Sequence, residues 1–349
     1  MEQTISIPSR VKRSIPDTRS IPFGVQTTDH MFISEYKNGN WNDPRITPYA
    51  SLSMSPIALC LHYGQTVFEG MKAFRQSDGK VAIFRPDKHY ERFMLSLKRM
   101  CMPEIPRYLF IEALHQFVAL DSDWIPAGED GALYLRPFMI ATEARLGMKT
   151  SDEYLFMIVA TPAYQYYTKP LRVKVESQYV RAAEGGTGAA KCGGNYGAAL
   201  YPTELARQSG FDQVIWTDSY HHEFMEESGT MNVMFVINNI LITPPLSGTI
   251  LDGVTRDSLL TLARDMGIAV EERKISYREV QKVLENGGKV EAFGAGTAAV
   301  VAPIEIIGIG NKEYHCHIGP DALMHKLHRK LVAIRKGQAP DLYNWNYII

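Results

Sequence analysis

The stretch Gly185-Gly-Thr-Gly-Ala-Ala-Lys191-Cys-Gly-Gly-Asn-Tyr196-Gly-Ala-Ala-Leu200 places one lysine among six glycines and four alanines. Glycine lets a backbone approach a ligand closely, and small apolar neighbours keep water away from an amine. Such surroundings suit a nucleophilic, imine-forming lysine, because desolvation disfavours the ammonium form. On this stretch alone, a flexible loop that carries a solvated lysine explains the pattern equally well. The rest of the chain has to decide between the two.

Length and composition indicate the class of protein. A chain of 349 residues with a net charge of -1 predicts about two domains and lacks the basic surface that nucleic acid requires. Its four widely spaced cysteines suit reduced thiols, not a disulfide framework or a zinc site. No stretch resembles a signal peptide or a membrane helix. We therefore expect a cytoplasmic protein without bound metal, whose partners are small molecules or a second copy of the chain.

Two segments of the first half carry candidate binding residues. The stretch from Tyr63 to Phe74 mixes aromatic residues, among them Phe68, with glycines and polar groups, and it predicts either a pocket wall or a plain hydrophobic edge. Arg85 ends a strand predicted over 80–85, and Pro86 opens the helix that follows. A guanidinium at this junction suits a phosphate, and a structural ion pair explains it about as well.

A strand predicted over 132–141 carries another candidate pair. Its period of two places Tyr134 and Arg136 on one face, and Leu133 and Leu135 on the other. A tyrosine and an arginine two positions apart on a strand can bind one carboxylate together. A surface charge beside a half-buried tyrosine would give the same pattern.

The second half of the chain offers a carboxylate followed by a turn. Glu227 and Thr230 lie in the sequence Glu-Ser-Gly-Thr-Met-Asn, just before two strands that are predicted to turn near Asn238-Asn239. The carboxylate, the glycine and the hydroxyl are thereby placed together at the start of a sheet.

Two further segments suit anions. The amides of Gly253, Val254 and Thr255 lie at the start of an amphipathic helix predicted over 257–266, where amide donors are unpaired. The second segment follows a strand predicted over 289–293 and contains Gly296, Thr297 and Ala298, where the backbone again permits close approach. Two such segments predict binding of a phosphate and of a carboxylate.

These residues together match the needs of pyridoxal phosphate. This cofactor requires a lysine for a Schiff base, a carboxylate that keeps its pyridine nitrogen protonated, and donors for its phosphate. Lys191 supplies the first and Glu227 the second, while Arg85 and the two anion-binding segments supply the third.

The chain resembles the branched-chain amino acid aminotransferases, which belong to the fold-type IV, D-amino-acid-aminotransferase-like group of pyridoxal phosphate enzymes. The resemblance covers nearly the whole chain and follows the order of the family's motifs. The motifs that carry it are Tyr63 to Phe74, Phe84-Arg-Pro86, Tyr134-Leu-Arg-Pro137, Lys191-Cys-Gly-Gly-Asn-Tyr196, Glu227-Ser-Gly-Thr-Met-Asn232, Leu251-Asp-Gly-Val-Thr-Arg256 and Phe293-Gly-Ala-Gly-Thr297.

The resemblance implies a fold, an activity and an assembly. The fold is mixed α/β (α+β), with a smaller N-terminal α/β domain over 1–162, a linker over 163–173 and a larger, β-rich, cofactor-binding domain over 174–349. The activity is reversible transfer of the amino group of L-leucine, L-isoleucine or L-valine to 2-oxoglutarate by a ping-pong mechanism. The assembly is a homodimer.

The resemblance also implies roles for the cofactor-binding residues. Lys191 holds the cofactor as a Schiff base and moves the proton between the substrate α-carbon and the cofactor. Glu227 pairs with the pyridine nitrogen, and Tyr196 with the phenolic oxygen of the ring. The other cofactor-binding residues, which include the phosphate ligands, are Arg85, Thr230, Gly253, Val254, Thr255, Gly296 and Thr297.

The substrate-binding residues follow from the same resemblance. Tyr134 and the amides of Thr297 and Ala298 receive the substrate carboxylate. Phe68 and Tyr63 contact the branched side chain, and Arg136 with Tyr63 takes the distal carboxylate of glutamate.

The chain departs from the wider group at two places. Ala299 and Ala302 occupy the positions of a Cys-x-x-Cys redox pair that some animal members carry, so we expect no thiol switch of that kind. Met234 replaces an aromatic residue of the usual pattern in a predicted core strand.

Other functions fit part of the pattern. A D-amino acid aminotransferase or an aminodeoxychorismate lyase of the same fold would share Lys191 and Glu227. A non-catalytic phosphate- or dinucleotide-binding protein is the remote alternative, but Gly186-Thr-Gly188 lacks the third glycine of the dinucleotide motif.

Overall fold

The computed structural model describes residues 4–8 and 17–349, which divide into two compact units. Unit 1 combines Met1–Tyr166 with the short segment Ala190–Gly194 and the C-terminal Ile334–Ile349. Unit 2 combines Tyr167–Ala189 with Asn195–Ala333. The lysine segment therefore belongs to unit 1, although the chain on both sides of it belongs to unit 2.

Unit 1 is an antiparallel sheet covered by helices. The strand order is β17-β5-β4-β6-β7-β1-β2, and β3 also pairs with β6. Its elements are β1 (His30–Lys37), β2 (Asn40–Pro48), α1 (Leu59–Tyr63), β3 (Thr66–Phe68), β4 (Met71–Arg75), β5 (Val81–Phe84), α2 (Pro86–Arg99), α3 (Arg107–Asp121), a 3-10 turn (Ser122–Trp124), β6 (Ala132–Ala141), β7 (Tyr154–Ala163) and the C-terminal β17 (Asn346–Ile348).

Unit 2 is a mixed sheet that closes on itself. The strand order is β10-β9-β8-β15-β14-β11-β12-β13, and β10 also pairs with β11, so the strands from β10 to β11 in this order form a ring. Its elements are β8 (Leu171–Glu176), α4 (Gly194–Gly197), α5 (Leu200–Gln208), β9 (Gln213–Thr217), β10 (Met225–Ser228), β11 (Met231–Ile237), β12 (Ile240–Thr243), α6 (Val254–Asp265), β13 (Ala269–Glu272), α7 (Tyr277–Glu285), β14 (Val290–Gly296), β15 (Val300–Ile309), β16 (Lys312–His315) and α8 (Leu323–Arg335), which crosses into unit 1.

The aromatic core of unit 1 joins its helices to its sheet. Phe93 of α2, Phe110 of α3 and Phe156 of β7 are fully buried, and their ring centroids lie 5.6 to 5.9 Å apart. Burial of such large apolar side chains supplies much of the free energy that stabilises the folded chain. The face of α2 that carries Phe93 is thereby fixed against the sheet.

Several predicted elements are confirmed. The strand over 132–141 is β6, and Pro86 is the first residue of α2. The turn at Asn238 and Asn239 joins β11 to β12, and both residues have positive φ, as a tight hairpin requires. Gly253 caps the helix predicted after it, which begins three residues earlier than expected, at Val254.

The division into units differs from the predicted contiguous domains. The lysine segment joins unit 1 because Cys192 forms a bridge with Val67 of β3, and the C-terminus joins it because β17 pairs with β5. Unit 1 is consequently not the smaller part. Strand β7 extends to Ala163 and β8 begins at Leu171, so both ends of the predicted linker over 163–173 are strand.

Residues 1–50 are rich in Pro, Asn, Asp and Ser and have little periodicity, which predicts a wrapping arm with short strands. Residues 1–3 and 9–16 lie outside the described residues, so this expectation is addressed only in part. The described part includes β1 and β2, which pair with each other, while β1 also pairs with β7. Across the described chain, no helix has the length and apolarity needed to cross a membrane.

Phe156 tests the importance of the unit 1 core. Replacing it with alanine should lower the free energy of unfolding by about 3–5 kcal/mol, because a large cavity would open among the core rings. Leu95→Ala is the control on the neighbouring helix α2, since Leu95 is 64% exposed, and it should change that free energy by less than about 0.5 kcal/mol. Urea denaturation of both variants measures the difference, and equal effects would contradict this description of the core.

Candidate active site

The main chain of the segment from Lys191 to Gly193 is fixed at three points in unit 1. Its N–H donates to Ser96 Oγ at 2.9 Å, and its carbonyl accepts the N–H of Phe68 at 3.0 Å. Two residues later the N–H of Gly193 donates to the carbonyl of Thr66 at 3.2 Å. A Cβ on Gly193 would lie 2.4 Å from Thr66 Oγ1, so this position requires glycine. The segment is therefore an ordered attachment to β3 and α2, and the alternative of a loose loop is wrong.

Two predicted site residues, Lys191 and Arg136, contact the ring of a third, Phe68, and Arg136 also contacts a fourth, Tyr134. Lys191 Nζ lies 4.8 Å from the centroid of the Phe68 ring, and Arg136 Cζ lies 4.7 Å from it. Arg136 Nη2 donates to the hydroxyl of Tyr134 at 3.2 Å, as their shared face on β6 predicts. Arg136 Nε is buried and has no hydrogen-bond partner among the described residues. This guanidinium thus has capacity for an anion at the ring that Lys191 also contacts.

Two other predicted residues of unit 1 have different surroundings. Tyr63 ends α1, is 43% exposed and donates its hydroxyl to the carbonyl of Leu146. Arg85 is the N-cap of α2, as its junction position predicted, and its guanidinium lies 4.9 Å from the centroid of Trp345. Burial and, to a lesser degree, the charge of Arg85 lower the pKa of nearby Arg335 to about 9.

A buried charge cluster beside Lys191 was missed by the sequence analysis. Glu69 is completely buried, and its oxygens Oε1 and Oε2 each accept a 2.8 Å hydrogen bond from Arg92. His89 Nδ1 lies 2.7 Å from Glu69 Oε2. His89, Arg92 and Ser96 lie on one face of α2 at helical spacing, which is the only local signal that they act together.

The electrostatics of this cluster follow from burial and pairing. Burial alone would raise the pKa of Glu69, but the charges and hydrogen bonds of Arg92 and His89 outweigh it and hold that pKa well below its usual range. Burial lowers the pKa of His89, with smaller contributions in the same direction from Arg92 and Lys191, while Glu69 opposes the shift. An ionised carboxylate and guanidinium therefore lie beside a neutral imidazole.

In unit 2, Glu227 is held in place from several sides. It lies on β10 with 3% of its surface exposed, and its Oε1 accepts the N–H of Leu251 at 2.8 Å. Asn232 Nδ2 is 3.5 Å from the same oxygen, and Arg181 Nε is 3.2 Å from Oε2. Arg181 was not predicted, because it is far from Glu227 in the sequence and shares no motif with it. A buried carboxylate with a cationic partner is rigid and keeps its orientation.

Asn232 also connects Glu227 to the start of α6. Its Nδ2 donates to the carbonyl of Leu251 at 2.9 Å, and a Cβ on Gly253 would lie 1.9 Å from its Oδ1. Gly253 is the N-cap of α6, so Val254 and Thr255 are the first two residues of the helix, and both are buried. The amide groups of a helix start are thus fixed relative to the Glu227 carboxylate.

The remaining predicted residues of unit 2 lie in turns or in a short helix. Asn232 pairs with Ala295 of β14, which places Gly296 at the end of this strand and Thr297 and Ala298 in the turn that follows. Thr230 is exposed in the turn between β10 and β11. Tyr196 lies in α4 and is half-buried.

Comparison with known sequences gives one family and several close relatives. Residues 66–307 match the family described as amino-transferase class IV. Branched-chain-amino-acid transaminase 1 of Bacillus subtilis (strain 168) is 46% identical over 336 residues, which cover 95% of this chain and 94% of that protein. A branched-chain-amino-acid aminotransferase of Mycobacterium tuberculosis (strain ATCC 25618 / H37Rv) is 43% identical and covers 93% of this chain and 90% of its own length.

Solved structures show the same fold. The branched-chain amino acid aminotransferase of T.th., complexed with N-(5'-phosphopyridoxyl)-L-glutamate, aligns with a TM-score of 0.70 at 25% identity over 90% of this chain and 98% of that chain. The branched-chain aminotransferase of Thermoproteus uzoniensis aligns with a TM-score of 0.74 at 24% identity over 91% and 99%. These similarities confirm the predicted fold-type IV architecture.

The Glu69 cluster predicts how stability depends on pH. The pKa of Glu69 is lower in the folded than in the unfolded chain, so the folded chain binds fewer protons. The contribution of Glu69 to the free energy of unfolding is therefore complete above the unfolded pKa of about 4.5, and it is lost as the pH falls below that value. The lowered pKa of His89 acts in the same direction: it makes the free energy of unfolding fall as the pH drops below about 6.5.

Glu69→Gln should lower the free energy of unfolding by about 3–5 kcal/mol at pH 7, since it leaves Arg92 buried without its counter-ion. The same substitution should also make that free energy depend less on pH in the acid range.

Urea denaturation between about pH 2 and pH 8 measures both effects. Glu153→Gln is the control, because Glu153 pairs with Lys37 at the surface and should contribute less than about 1 kcal/mol. If the free energy of unfolding of Glu69→Gln falls at acid pH as steeply as that of the wild type, the role given to Glu69 is contradicted.

Proposed function

The chain belongs to the class IV amino-transferase family and is a pyridoxal-phosphate-dependent branched-chain-amino-acid transaminase, and we propose that Lys191 is its catalytic residue. The enzyme transfers the amino group of L-leucine, L-isoleucine or L-valine reversibly to 2-oxoglutarate, and L-glutamate and the branched-chain 2-oxo acid are the products. One observation carries the assignment of Lys191: its main chain is fixed by hydrogen bonds while its amine extends over an aromatic ring.

The residues present fit pyridoxal phosphate. The cofactor needs an amine, a carboxylate and phosphate donors, and the chain has Lys191, the buried and oriented Glu227, and a helix start at which Gly253 leaves no room for a Cβ. Bound pyridoxal phosphate supplies an electron sink for negative charge at the substrate α-carbon. Glu227 would keep a proton on the pyridine nitrogen, and Tyr196 would donate to the phenolic oxygen.

Lys191 moves the proton in this proposal. Its Nζ would take a proton from the substrate α-carbon as a general base and, as a general acid, would give that proton to the cofactor within the same half-reaction. The Phe68 ring, whose centroid is 4.8 Å from the amine, is an apolar neighbour on one side of it. The charge of Arg181, 3.2 Å from Glu227, supports the carboxylate electrostatically.

The substrate groups are assigned by their chemistry. Tyr134 and the amides of Thr297 and Ala298 receive the substrate carboxylate, and Phe68 contacts the branched side chain. Arg136 takes the distal carboxylate of glutamate. The support for Arg136 is its buried Nε, which has no hydrogen-bond partner among the described residues and would be satisfied by an anion.

Two guanidiniums, those of Arg85 and Arg92, are candidates for binding the phosphate. The other proposed phosphate ligands are Thr230, the amides of Gly253, Val254 and Thr255, and the turn of Gly296 and Thr297. The assignment of Arg85 is supported by the sequence pattern alone. Arg92 has structural support, since it is buried on α2 between Ser96, which binds the Lys191 amide, and His89, whose pKa is lowered in part by the Lys191 charge. We therefore place Arg92 beside Arg85 as a second candidate.

A homodimer is the proposed assembly. An exposed apolar patch on unit 1 comprises Ile57, Leu61, Tyr63, Leu146 and Met148, which are between 38% and 82% exposed. Tyr63 is assigned to the substrate and yet lies in this patch, so a second copy that covers the patch would complete its surroundings.

For location we propose the cytoplasm, because all four cysteines are free thiols, as is typical of a reducing compartment.

Lys191 and Glu227 provide the test of the reaction. Lys191→Ala should abolish transfer from leucine to 2-oxoglutarate, and Glu227→Gln should lower kcat by orders of magnitude with the fold intact, since the electron sink is weakened. Circular dichroism verifies the fold, and turnover of D-alanine measures the alternative activity. Full turnover in Lys191→Ala would refute the mechanism, and a wild-type enzyme active only on D-alanine would refute the substrate.

The phosphate ligand can be identified by substitutions that retain charge. Arg92→Lys should raise the Kd for pyridoxal phosphate about 10-fold, because a lysine cannot keep the two hydrogen bonds to Glu69 that orient the guanidinium, whereas Arg85→Lys should change it less than about twofold. Pyridoxal, which lacks the phosphate, should bind both variants as it binds the wild type. The reverse order of the two Kd values would assign the phosphate to Arg85.

A further inference from the structure

The two anchors of Lys191 are themselves connected. The carbonyl of Lys191 is held by the N–H of Phe68, and its N–H by the hydroxyl of Ser96. Glu69 follows Phe68 directly at the end of β3, and Arg92 lies one helical turn before Ser96 on α2. The link between Glu69 and Arg92 therefore closes a ring that starts and ends at the lysine.

Each link of this ring is short. Glu69 and Arg92 share two hydrogen bonds of 2.8 Å, and Ser96 Oγ donates to the carbonyl of Arg92 at 2.9 Å. The same Oγ then accepts from Lys191 at 2.9 Å. The hydroxyl uses its single proton for the helix, so it is left as an acceptor and is correctly oriented for the lysine amide.

Burial makes the ring hard to replace. Ser96 and Glu69 have no exposed surface, and Arg92 is 6% exposed. Removal of the serine hydroxyl would take the hydrogen-bond partner of the lysine amide from the buried side of that amide. An ion pair at this depth is also rigid, because separating its charges is costly.

We propose that Ser96 and the Glu69–Arg92 ion pair form a clamp that positions the main chain of Lys191 for amino-group transfer. Ser96 and Glu69 are then positioning residues that act through the lysine. This inference rests on the proposed catalytic role of Lys191. His89 strengthens the clamp, since it lies 2.7 Å from Glu69 and closes the cluster on the side of α2.

The physical reason lies in what the lysine has to do. Its side chain must leave and regain one position in every cycle, and that motion is reproducible only if its Cα stays in place. Misplacement of a reacting group by about 1 Å can cost roughly 100-fold in rate. The clamp fixes the Cα through both main-chain groups and leaves the side chain able to rotate.

Substitution of Ser96 in the holoenzyme tests this directly. Ser96→Ala should lower kcat for leucine by about 10-fold to 100-fold, with KM and the Kd for pyridoxal phosphate within about twofold of wild type. Ser96→Thr retains the hydroxyl and should recover most of kcat. The pH at which the visible absorption of the holoenzyme changes should shift in Ser96→Ala and return in Ser96→Thr.

The control is another buried serine of unit 1. Ser34 has no exposed surface and its hydroxyl donates to the carbonyl of Asn42, as that of Ser96 does to Arg92, but it is not bonded to the lysine segment. Ser34→Ala should leave kcat and the absorption titration unchanged. If Ser96→Ala only lowers the free energy of unfolding, as Ser34→Ala does, and keeps wild-type kcat, the clamp is refuted.

A double substitution tests the connection through the ion pair. Ser96→Ala and Glu69→Gln should together lower kcat by less than the product of their separate effects, because each opens the same ring. Multiplicative effects, measured at a temperature where all variants are folded, would refute the coupling. A wild-type enzyme without leucine transamination would instead refute the proposed function and not the clamp.

Discussion

The hydrogen bonds on both sides of Lys191 are the constraint around which unit 1 is organised. They require that β3 and α2 approach one short segment from opposite directions, and the buried pair Glu69–Arg92 joins these two elements. The aromatic core behind α2 then determines where the helix lies. These hydrogen bonds use the backbone atoms of the lysine, so the amine itself takes no part in them.

The glycines of the lysine segment have a different purpose from the one that their number suggests. A glycine-rich sequence usually predicts mobility, because glycine has many accessible conformations. Here Gly193 permits contact, since a Cβ would overlap the hydroxyl of Thr66 on the adjoining strand. Ser96 and Phe68 remove the remaining freedom by binding the lysine backbone.

Unit 2 applies the same principle to a carboxylate. Glu227 is held by the N–H of Leu251, by Asn232 and by Arg181, and Asn232 also fixes the turn before α6. A carboxylate oriented in this way keeps one direction for its lone pairs. The helix start beside it has amides in a fixed relation to that carboxylate, which suits a ligand with a basic nitrogen and an anionic group.

The sequence by itself determined the fold family, the reaction and most of the elements. Lys191, Glu227 and the glycine turns have residue types and an order that follow from the cofactor's chemistry, and the strand over 132–141 and the turn at Asn238 follow from local preferences. The tertiary structure alone decided that the lysine segment and the C-terminus belong to unit 1, and that Arg92, Ser96 and Arg181 accompany the predicted residues. The physical reason is that strand pairing and buried ion pairs join residues far apart in the chain, and such partners leave no periodic or local signal in the sequence.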